Sequence, residues 1–292
     1  GSALVARLIE CDFTPIVLTR NSDNLDKTIP GKIEYVLWDG KTSKKWKKYA
    51  RNSFAIINLA GENISRGRWT DEKKKLIIES RVNAGKAICE AVNDCSLPPK
   101  VVIQASAVGY YGSRRNEKLD ESSHLGKGFL ADVCKKWEAS ILPVEKTGIR
   151  TVVIRSAVVL SHTGGALPKI INTFKHLFGA VPSGSQWFSW IHVEDEIEAI
   201  IFLMKNKKAH GIFNLSSPEP VKMTDFCHEL AQRLHKPLWG KIPSFLVKTV
   251  FGEIADETIL ASQRVFPYRL IDLGFNFKYP DIKSALENIL KE

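Results

Sequence analysis

The segment VVIQASAVGYYG, residues 101–112, begins as an apolar strand and ends in small and hydroxyl-bearing residues. A run of Val and Ile without polar alternation is typical of a strand buried on both faces of a parallel sheet. Small residues at its end let a ligand approach the backbone, and Ser106, Tyr110 and Tyr111 add hydroxyl groups there. We therefore expect a parallel α/β sheet with a polar site at the end of this strand.

Other apolar runs alternate with amphipathic stretches of helical length. The predicted strands are 16–19, 33–38, 54–60, 101–106, 151–160 and 212–216. The predicted helices are 3–11, 71–92, 129–144 and 197–205. This alternation predicts an α/β fold with a doubly wound parallel sheet.

The pattern changes near residue 223, where Pro and Gly mark turns between helices and no strong strand is predicted. We expect a sheet domain over 1–222 and a smaller, mostly helical C-terminal lobe over 223–292. Residues 164–189 form a loop-and-helix excursion that is expected to contribute to this lobe, which covers the substrate.

Composition excludes several classes of protein. The 292 residues are 44% hydrophobic, and no apolar stretch approaches the roughly 20 residues that a membrane-spanning helix needs. The five cysteines include no Cys-x-x-Cys pair, so neither a disulfide framework nor a zinc site is expected, and we predict no metal. Nothing at the start resembles a secretory signal, which predicts a cytoplasmic protein.

The net charge of +10 comes largely from two local runs of basic residues. Solvated helix faces are the favoured interpretation of such runs, rather than binding to nucleic acid or to a membrane. The runs are Lys41, Lys44, Lys45, Lys47, Lys48 and Arg51, and Lys73, Lys74 and Lys75.

The end of the first predicted strand carries Thr19 and Arg20. In dinucleotide-binding folds this position faces the adenosine ribose, where an acidic residue selects NAD and an Arg accommodates the 2′-phosphate of NADP. Arg20 therefore favours NADP, and a solvated Arg at a strand end is the alternative. The segment NLAGEN, residues 58–63, ends another strand in small residues. Two such ends at the switch point of an open sheet favour a binding crevice.

The chain opens on a helix, whereas a doubly wound dinucleotide fold opens on a strand and a glycine-rich turn. Gly1 is interpreted as the last glycine of that turn, with a cloning scar at Gly1 and Ser2 as the alternative. We then expect the central strand to precede the given sequence. A protein extended by that strand and turn should melt at a higher temperature and bind NADP more tightly.

The segment WIHVED, residues 190–195, precedes a predicted helix that Glu194 or Asp195 is expected to cap. His192 in this apolar setting is interpreted as a core histidine. Together with Ser106 and Trp187, these residues predict a polar, aromatic crevice.

In order and spacing, residues 58–63, 106–112, 191–195 and 211–216, together with Arg155, resemble the extended short-chain dehydrogenase/reductase superfamily. The resemblance covers nearly the whole chain and implies a Rossmann fold that binds a nicotinamide dinucleotide. More narrowly, the chain resembles an atypical branch, the epimerase-family or nucleoside-diphosphate-sugar-epimerase-like proteins with a C-terminal domain of unknown function. That resemblance rests on residues 58–64, Ser80, Arg81, 164–167, 184–192, Gly274 and Phe275.

The resemblance implies NADP (NADPH) as the cofactor and a set of residues that contact it. These are Gly1, Thr19, Arg20, Leu59, Ala60, Gly61, Arg81, Ala105, Ala157 and Val159.

The acid-base pair of the superfamily, Tyr-x-x-x-Lys on the helix after the Ser-bearing strand, is absent. Aligning Glu138 on that helix puts Leu130 at the Tyr position and Cys134 at the Lys position. A literal match at residues 279–283 contains a proline and is interpreted as chance. The predicted catalytic hydroxyls are therefore Ser106, Tyr110 and Tyr111.

Two functions remain open from the sequence. The first is an NADP-dependent oxidoreductase or epimerase-like enzyme, in which these hydroxyls polarise the oxygen of an unidentified small hydroxyl or carbonyl substrate. The second is a catalytically reduced, NADP-binding regulator that acts through a protein partner, like family members named as cell-division inhibitors. The predicted polar crevice slightly favours the enzyme over the regulator. The oligomeric state is left open.

Overall fold

The computed structural model describes residues 1–20, 31–93, 95–176, 181–182, 185–238 and 240–291. Within these ranges the strands are β1 (Ile16–Thr19), β2 (Glu34–Leu37), β3 (Ala55–Asn58), β4 (Val101–Ala107), β5 (Lys118–Leu119), β6 (Arg150–Ser156), β7 (Val158–Leu160), β8 (Val181–Pro182), β9 (Trp187–Phe188), β10 (Trp190–His192), β11 (Gly211–Leu215), β12 (Val221–Lys222), β13 (Lys241–Ile242) and β14 (Arg264–Val265).

The described helices connect these strands. They are α1 (Ser2–Glu10), α2 (Lys47–Ala50), α3 (Asp71–Asn93), α4 (Phe129–Ala139), α5 (Leu142–Glu145), α6 (Leu167–His176), α7 (Val193–Lys205), α8 (Met223–Arg233), α9 (Ser244–Phe251), α10 (Tyr268–Asp272) and α11 (Ile282–Lys291). A 3-10 helix covers Val108–Tyr111, and a π-helical turn covers Ala255–Ile259.

Four parallel strands form the central sheet in the order β11, β6, β4, β3, and β1 and β2 form a separate parallel pair. The predicted α/β fold with a parallel sheet is therefore confirmed. Among the described residues no strand bridges β1 and β3. The behaviour of an extended chain stays a prediction.

Helices cover both faces of the sheet, and the alternation of side chains along β4 shows this directly. Val101 and Ile103 point into a cluster with α1 and α7, whereas Val102 points into a cluster with α3 and α5. Successive side chains of a strand face opposite ways, so a continuous apolar run is what a strand between two helix layers requires.

Three predicted elements are shorter than expected. The strand 151–160 is divided at Ala157 into β6 and β7, and β7 pairs with β10 instead of the central sheet. The helix 129–144 ends at Ala139 because Pro143, which lacks a backbone N–H, belongs to the start of the separate helix α5. The predicted strand 54–60 ends at Asn58, so Leu59 and Ala60 lie beyond the end of the strand.

The predicted cap of α7 is wrong. The helix begins at Val193, and the His192 Nδ1 atom accepts a hydrogen bond from the Glu194 backbone N–H at 3.1 Å. Asp195 instead accepts hydrogen bonds from the backbone N–H groups of Lys278 and Tyr279, at 2.8 and 2.9 Å. The Asp195 carboxylate therefore binds the backbone of the C-terminal lobe instead of capping α7.

The C-terminal lobe packs on the outer part of the sheet domain. Its core joins Phe226 of α8 and Leu286 of α11 to Leu160, Leu167 and Trp190. Leu167 lies in the 164–189 excursion, which therefore packs with the lobe in its described part. The strands of the described chain after residue 222 are two residues long.

The first basic run agrees with its interpretation as a solvated face, whereas in the second run Lys73 and Lys74 are partly buried and pair with Glu62 and Glu253. All six basic residues between 41 and 51 are exposed, while Trp46 between them is buried against Trp38. No helix in the described part of the chain combines the length and apolar character needed to cross a membrane.

Gly85 gives a test of the packing between α3 and the end of α4. A Cβ atom at Gly85 would contact the Ser140 hydroxyl and lie 2.7 Å from the Ser140 Cβ atom. Gly→Ala inside a helix ordinarily stabilises by up to about 1 kcal/mol, but overpacking costs about 1–3 kcal/mol. We expect Gly85→Ala to lower the free energy of unfolding in urea by about 1 kcal/mol. The exposed neighbour Lys86→Ala is the control, and a stabilising Gly85→Ala would contradict the packing.

Candidate functional site

The predicted ligand-contact residues gather at one edge of the fold. Parallel strands place their carboxyl ends on the same edge, so the described strands β3, β4 and β6 end together. The end of β1 lies close to them, because the Arg20 Nη2 atom is 3.9 Å from the Glu62 Oε2 atom. Gly1 lies at the N-terminus of α1. Most of the other predicted contacts lie near these strand ends: Thr19, Arg20, Leu59, Ala60, Gly61, Ala105 and Ala157. Val159 lies in β7, which pairs with β10.

Arg20 is an exposed cation at this edge. Its side chain is 68% exposed, and its Nη2 atom lies 3.9 Å from the Glu62 Oε2 atom, beyond hydrogen-bond distance. Glu62 is itself held by Lys73, whose Nζ donates at 2.6 Å and keeps the pKa of Glu62 below its usual value. The Arg20 guanidinium therefore remains available to an anion.

Arg81 lies against the end of β3. Its Nη1 atom donates to the carbonyl oxygens of Glu62 and Ile77, both at 3.0 Å, and its guanidinium stands over the Trp137 ring at 4.7 Å. A Cβ atom at Gly61 would come within 2.9 Å of this guanidinium, so the absence of a side chain at Gly61 makes room for it. Burial lowers the pKa of Arg81, because desolvation disfavours the charged form. A nearby anion would stabilise the charged guanidinium.

Arg155 and Glu138 form a buried ion pair beneath this edge. The Nε and Nη2 atoms of Arg155 each donate to one Glu138 carboxylate oxygen at 2.8 Å. The Arg155 Nη1 atom donates to the Tyr111 hydroxyl at 3.1 Å, and the guanidinium lies 3.4 Å from the centre of the Tyr110 ring. The Ser106 hydroxyl donates to Glu138 at 2.6 Å. These contacts lock α4 and the 3-10 helix onto β4 and β6.

This network engages two of the three predicted catalytic hydroxyls. Tyr111 is fully buried, donates to the Asn214 Oδ1 atom at 2.7 Å, and has its pKa raised to about 12, chiefly by burial. Ser106 is also buried, and its proton is directed at Glu138. Tyr110 is partly exposed. The geometry favours a structural role for Ser106 and Tyr111 and leaves Tyr110 as the hydroxyl for a ligand.

The positions matched to the superfamily's Tyr and Lys carry no acid-base chemistry. Leu130 and Cys134 are buried on α4, and Gly109 lets that helix approach, since a Cβ there would lie 3.3 Å from the Leu130 Cβ. Burial raises the Cys134 pKa to about 11, so the thiol stays protonated at neutral pH. In the 279–283 match, α11 begins only at Ile282, so its Tyr and Lys do not share a helix.

The C-terminal lobe reaches this site through Glu257. The Glu257 carboxylate accepts the backbone N–H groups of Phe129 and Leu130, at 3.0 and 3.1 Å, and so caps the start of α4. Gly128 precedes them with φ of 115°, a conformation that favours glycine. An ion pair between Lys74 and Glu253 at 2.5 Å makes a second link between lobe and sheet domain.

Sequence reasoning missed the partners in these contacts. Glu138 served only to align the helix, and Asn214 and Glu257 lie more than 100 residues from Tyr111 and Leu130 in the chain. No periodicity connects residues at such separations.

Residues 1–216 match the NAD dependent epimerase/dehydratase family, and residues 242–289 match a domain of unknown function, DUF1731. The chain belongs to the NAD dependent epimerase/dehydratase family. The narrower resemblance to epimerase-family proteins with a C-terminal domain of unknown function is likewise confirmed.

Three members of this epimerase family resemble the whole chain. The epimerase family protein SDR39U1 homolog, chloroplastic, of Arabidopsis thaliana is 37% identical over 294 residues, covering 100% of this chain and 84% of that protein. An epimerase family protein of Staphylococcus aureus is 36% identical, covering 100% and 96%. The crystal structure of human epimerase family protein SDR39U1 with NADPH is 27% identical, with a TM-score of 0.86 and coverage of 100% and 96%.

The buried ion pair predicts a large loss of stability when one partner is neutralised. Glu138→Gln leaves the Arg155 charge uncompensated, and breaking such a pair costs about 3–5 kcal/mol. We expect urea denaturation to show a loss of about 3 kcal/mol in the free energy of unfolding. The exposed Glu145→Gln is the matched control, and equal stability of both variants would show that the pair is dispensable.

The cysteines give a second test of the site. Burial raises the pKa of Cys134 to about 11 and that of Cys227 to about 12. We expect iodoacetamide at mildly alkaline pH to label Cys95, which is partly exposed, well before either, because the thiolate is the reactive form. Mass spectrometry of the labelled native protein is the measurement. Labelling of Cys134 as fast as Cys95 would show an activated thiol.

Proposed function

We propose that this protein is an NADP-dependent oxidoreductase or epimerase-like enzyme that acts on a small substrate with a hydroxyl or carbonyl group. The observation that carries the proposal is Arg20, an exposed guanidinium at the carboxyl end of β1. In doubly wound folds this strand end faces the adenosine ribose, and a cation there matches the 2′-phosphate that distinguishes NADP from NAD.

The residues along the edge fit a dinucleotide. Ala60 after β3 and Ala157 after β6 have small side chains, which leave room for an extended ligand along this edge. Arg20 and Arg81 supply positive charge near the end that takes the phosphates. The human protein of similar sequence and fold has a structure with NADPH, which supports NADP for this chain. When bound, the nicotinamide supplies hydride transfer, and the chain binds and orients it.

The proton chemistry must differ from that of the superfamily, because Leu130 and Cys134 replace its acid-base pair. We propose that Tyr110 contacts the substrate oxygen, since its ring is partly exposed and rests on Arg155. Ser106 and Tyr111 then hold Glu138 and Arg155 in place. Glu257 fixes the start of α4 from the lobe side, so the lobe and the sheet domain together shape the substrate site.

Arg20→Ala tests the cofactor preference. A guanidinium-phosphate contact is worth about 1.5–3 kcal/mol, which corresponds to roughly a 10- to 150-fold change in Kd. We expect the wild type to prefer NADPH over NADH, and Arg20→Ala to weaken NADPH by about this factor while leaving NADH nearly unchanged. Fluorescence titration of both cofactors measures the difference.

Arg51→Ala, which removes an exposed cation of the 41–51 run, is the matched control for net charge. It should leave both affinities unchanged. Equal affinity of the wild type for NADPH and NADH would contradict the proposal.

A further inference from the structure

The carboxyl group of Glu196 is buried with one oxygen unsatisfied. Glu196 is 9% exposed, and the Ser156 hydroxyl donates to its Oε1 atom at 2.6 Å. Its Oε2 atom has no hydrogen-bond partner among the described residues. A buried carboxyl oxygen left unpaired costs free energy, so its presence in a folded protein requires a reason.

Glu196 lies at the same edge as the candidate site. Ser156 is the last residue of β6, and Ala157, a predicted cofactor contact, follows it. Side chains alternate along β6, with Ile154 facing the α1 and α7 layer and Arg155 facing Glu138 on α4. Ser156 and Glu196 therefore meet on the α1 and α7 side, opposite the buried ion pair.

The charged groups around α7 are engaged elsewhere. Arg7 of α1 pairs with Glu198 and Glu10, at 2.5 and 2.9 Å. Asp195 is taken by the lobe backbone, and the His192 Nε2 atom lies 3.1 Å from the Asn288 Oδ1 atom. Burial raises the pKa of Glu196 to about 7, with only the Ser156 hydrogen bond opposing it. The group can thus offer either a donor or an acceptor near neutral pH.

We propose that the Oε2 atom of Glu196 makes a direct hydrogen bond to the nicotinamide half of the bound dinucleotide. The inference rests on the proposed function, because Arg20 at β1 is taken to bind the adenosine 2′-phosphate. Since β4 and β6 follow β3 in the sheet, β6 lies about 10 Å beyond β3, on the side away from β1. A group at the end of β6 is therefore placed to contact the nicotinamide half of an extended dinucleotide whose adenosine lies at Arg20.

The test compares NADPH with adenosine 2′,5′-bisphosphate, which carries the adenosine and the 2′-phosphate but no nicotinamide. Isothermal titration calorimetry would measure both on the wild type, Glu196→Leu and Glu196→Gln. The control is Glu198→Gln, an acid on the same helix with a 43% exposed side chain. Glu196→Ala replaces the Leu variant if the latter fails to melt cooperatively.

Glu196→Leu should weaken NADPH by about tenfold or more and leave the bisphosphate unchanged. Glu196→Gln should restore most of the NADPH affinity, because its amide can both donate and accept. The ligand-free Leu variant should melt at a higher temperature than the wild type, because an unsatisfied buried oxygen is removed.

Unchanged NADPH affinity in the Leu variant would overturn the inference, and so would equal weakening of both compounds. Arg20→Ala should instead weaken both compounds, which separates the two halves of the site. A wild type that binds neither compound would refute the proposed function itself.

Discussion

A guanidinium removed from water needs a counter-charge and hydrogen-bond acceptors. Arg155, which is 1% exposed, is such a group, and the elements around it supply both. Glu138 neutralises it from α4, Tyr111 accepts a third hydrogen bond, and Tyr110 covers its face. The Tyr111 hydroxyl in turn donates a hydrogen bond to Asn214 in β11. Strands β4, β6 and β11, helix α4 and the 3-10 helix are thus held in one arrangement.

This arrangement decides which groups are left for a ligand. The hydroxyl groups of Ser106 and Tyr111 already donate hydrogen bonds within the protein, to Glu138 and Asn214. Tyr110 remains partly exposed, and the remaining charged groups are Arg20 and Arg81 near β1 and β3 and Glu196 near β6. Cations at one end and an acid at the other suit a ligand whose 2′-phosphate and carboxamide lie at opposite ends.

The fold was largely predictable because strands buried between two helix layers must be apolar throughout, as β4 and β6 are. The position of Arg20 was predictable for the same reason, since it follows directly from the end of β1. Local signals failed where tertiary contacts competed with them: Pro143 starts a new helix, and the lobe backbone takes Asp195 from its expected capping role. The direction of Ser106 depended on Glu138, a partner 32 residues away that no spacing rule identifies.

The central claim is that the carboxyl ends of β1, β3 and β6 bind one NADPH molecule with its adenosine at Arg20 and its nicotinamide beyond β6. A crystal structure of the NADPH complex tests this most directly. We expect the 2′-phosphate within about 3 Å of the Arg20 guanidinium and the nicotinamide ring beside Ala157 and Val159. A dinucleotide bound in the reverse direction, or a 2′-phosphate that contacts no atom of Arg20, would contradict the account.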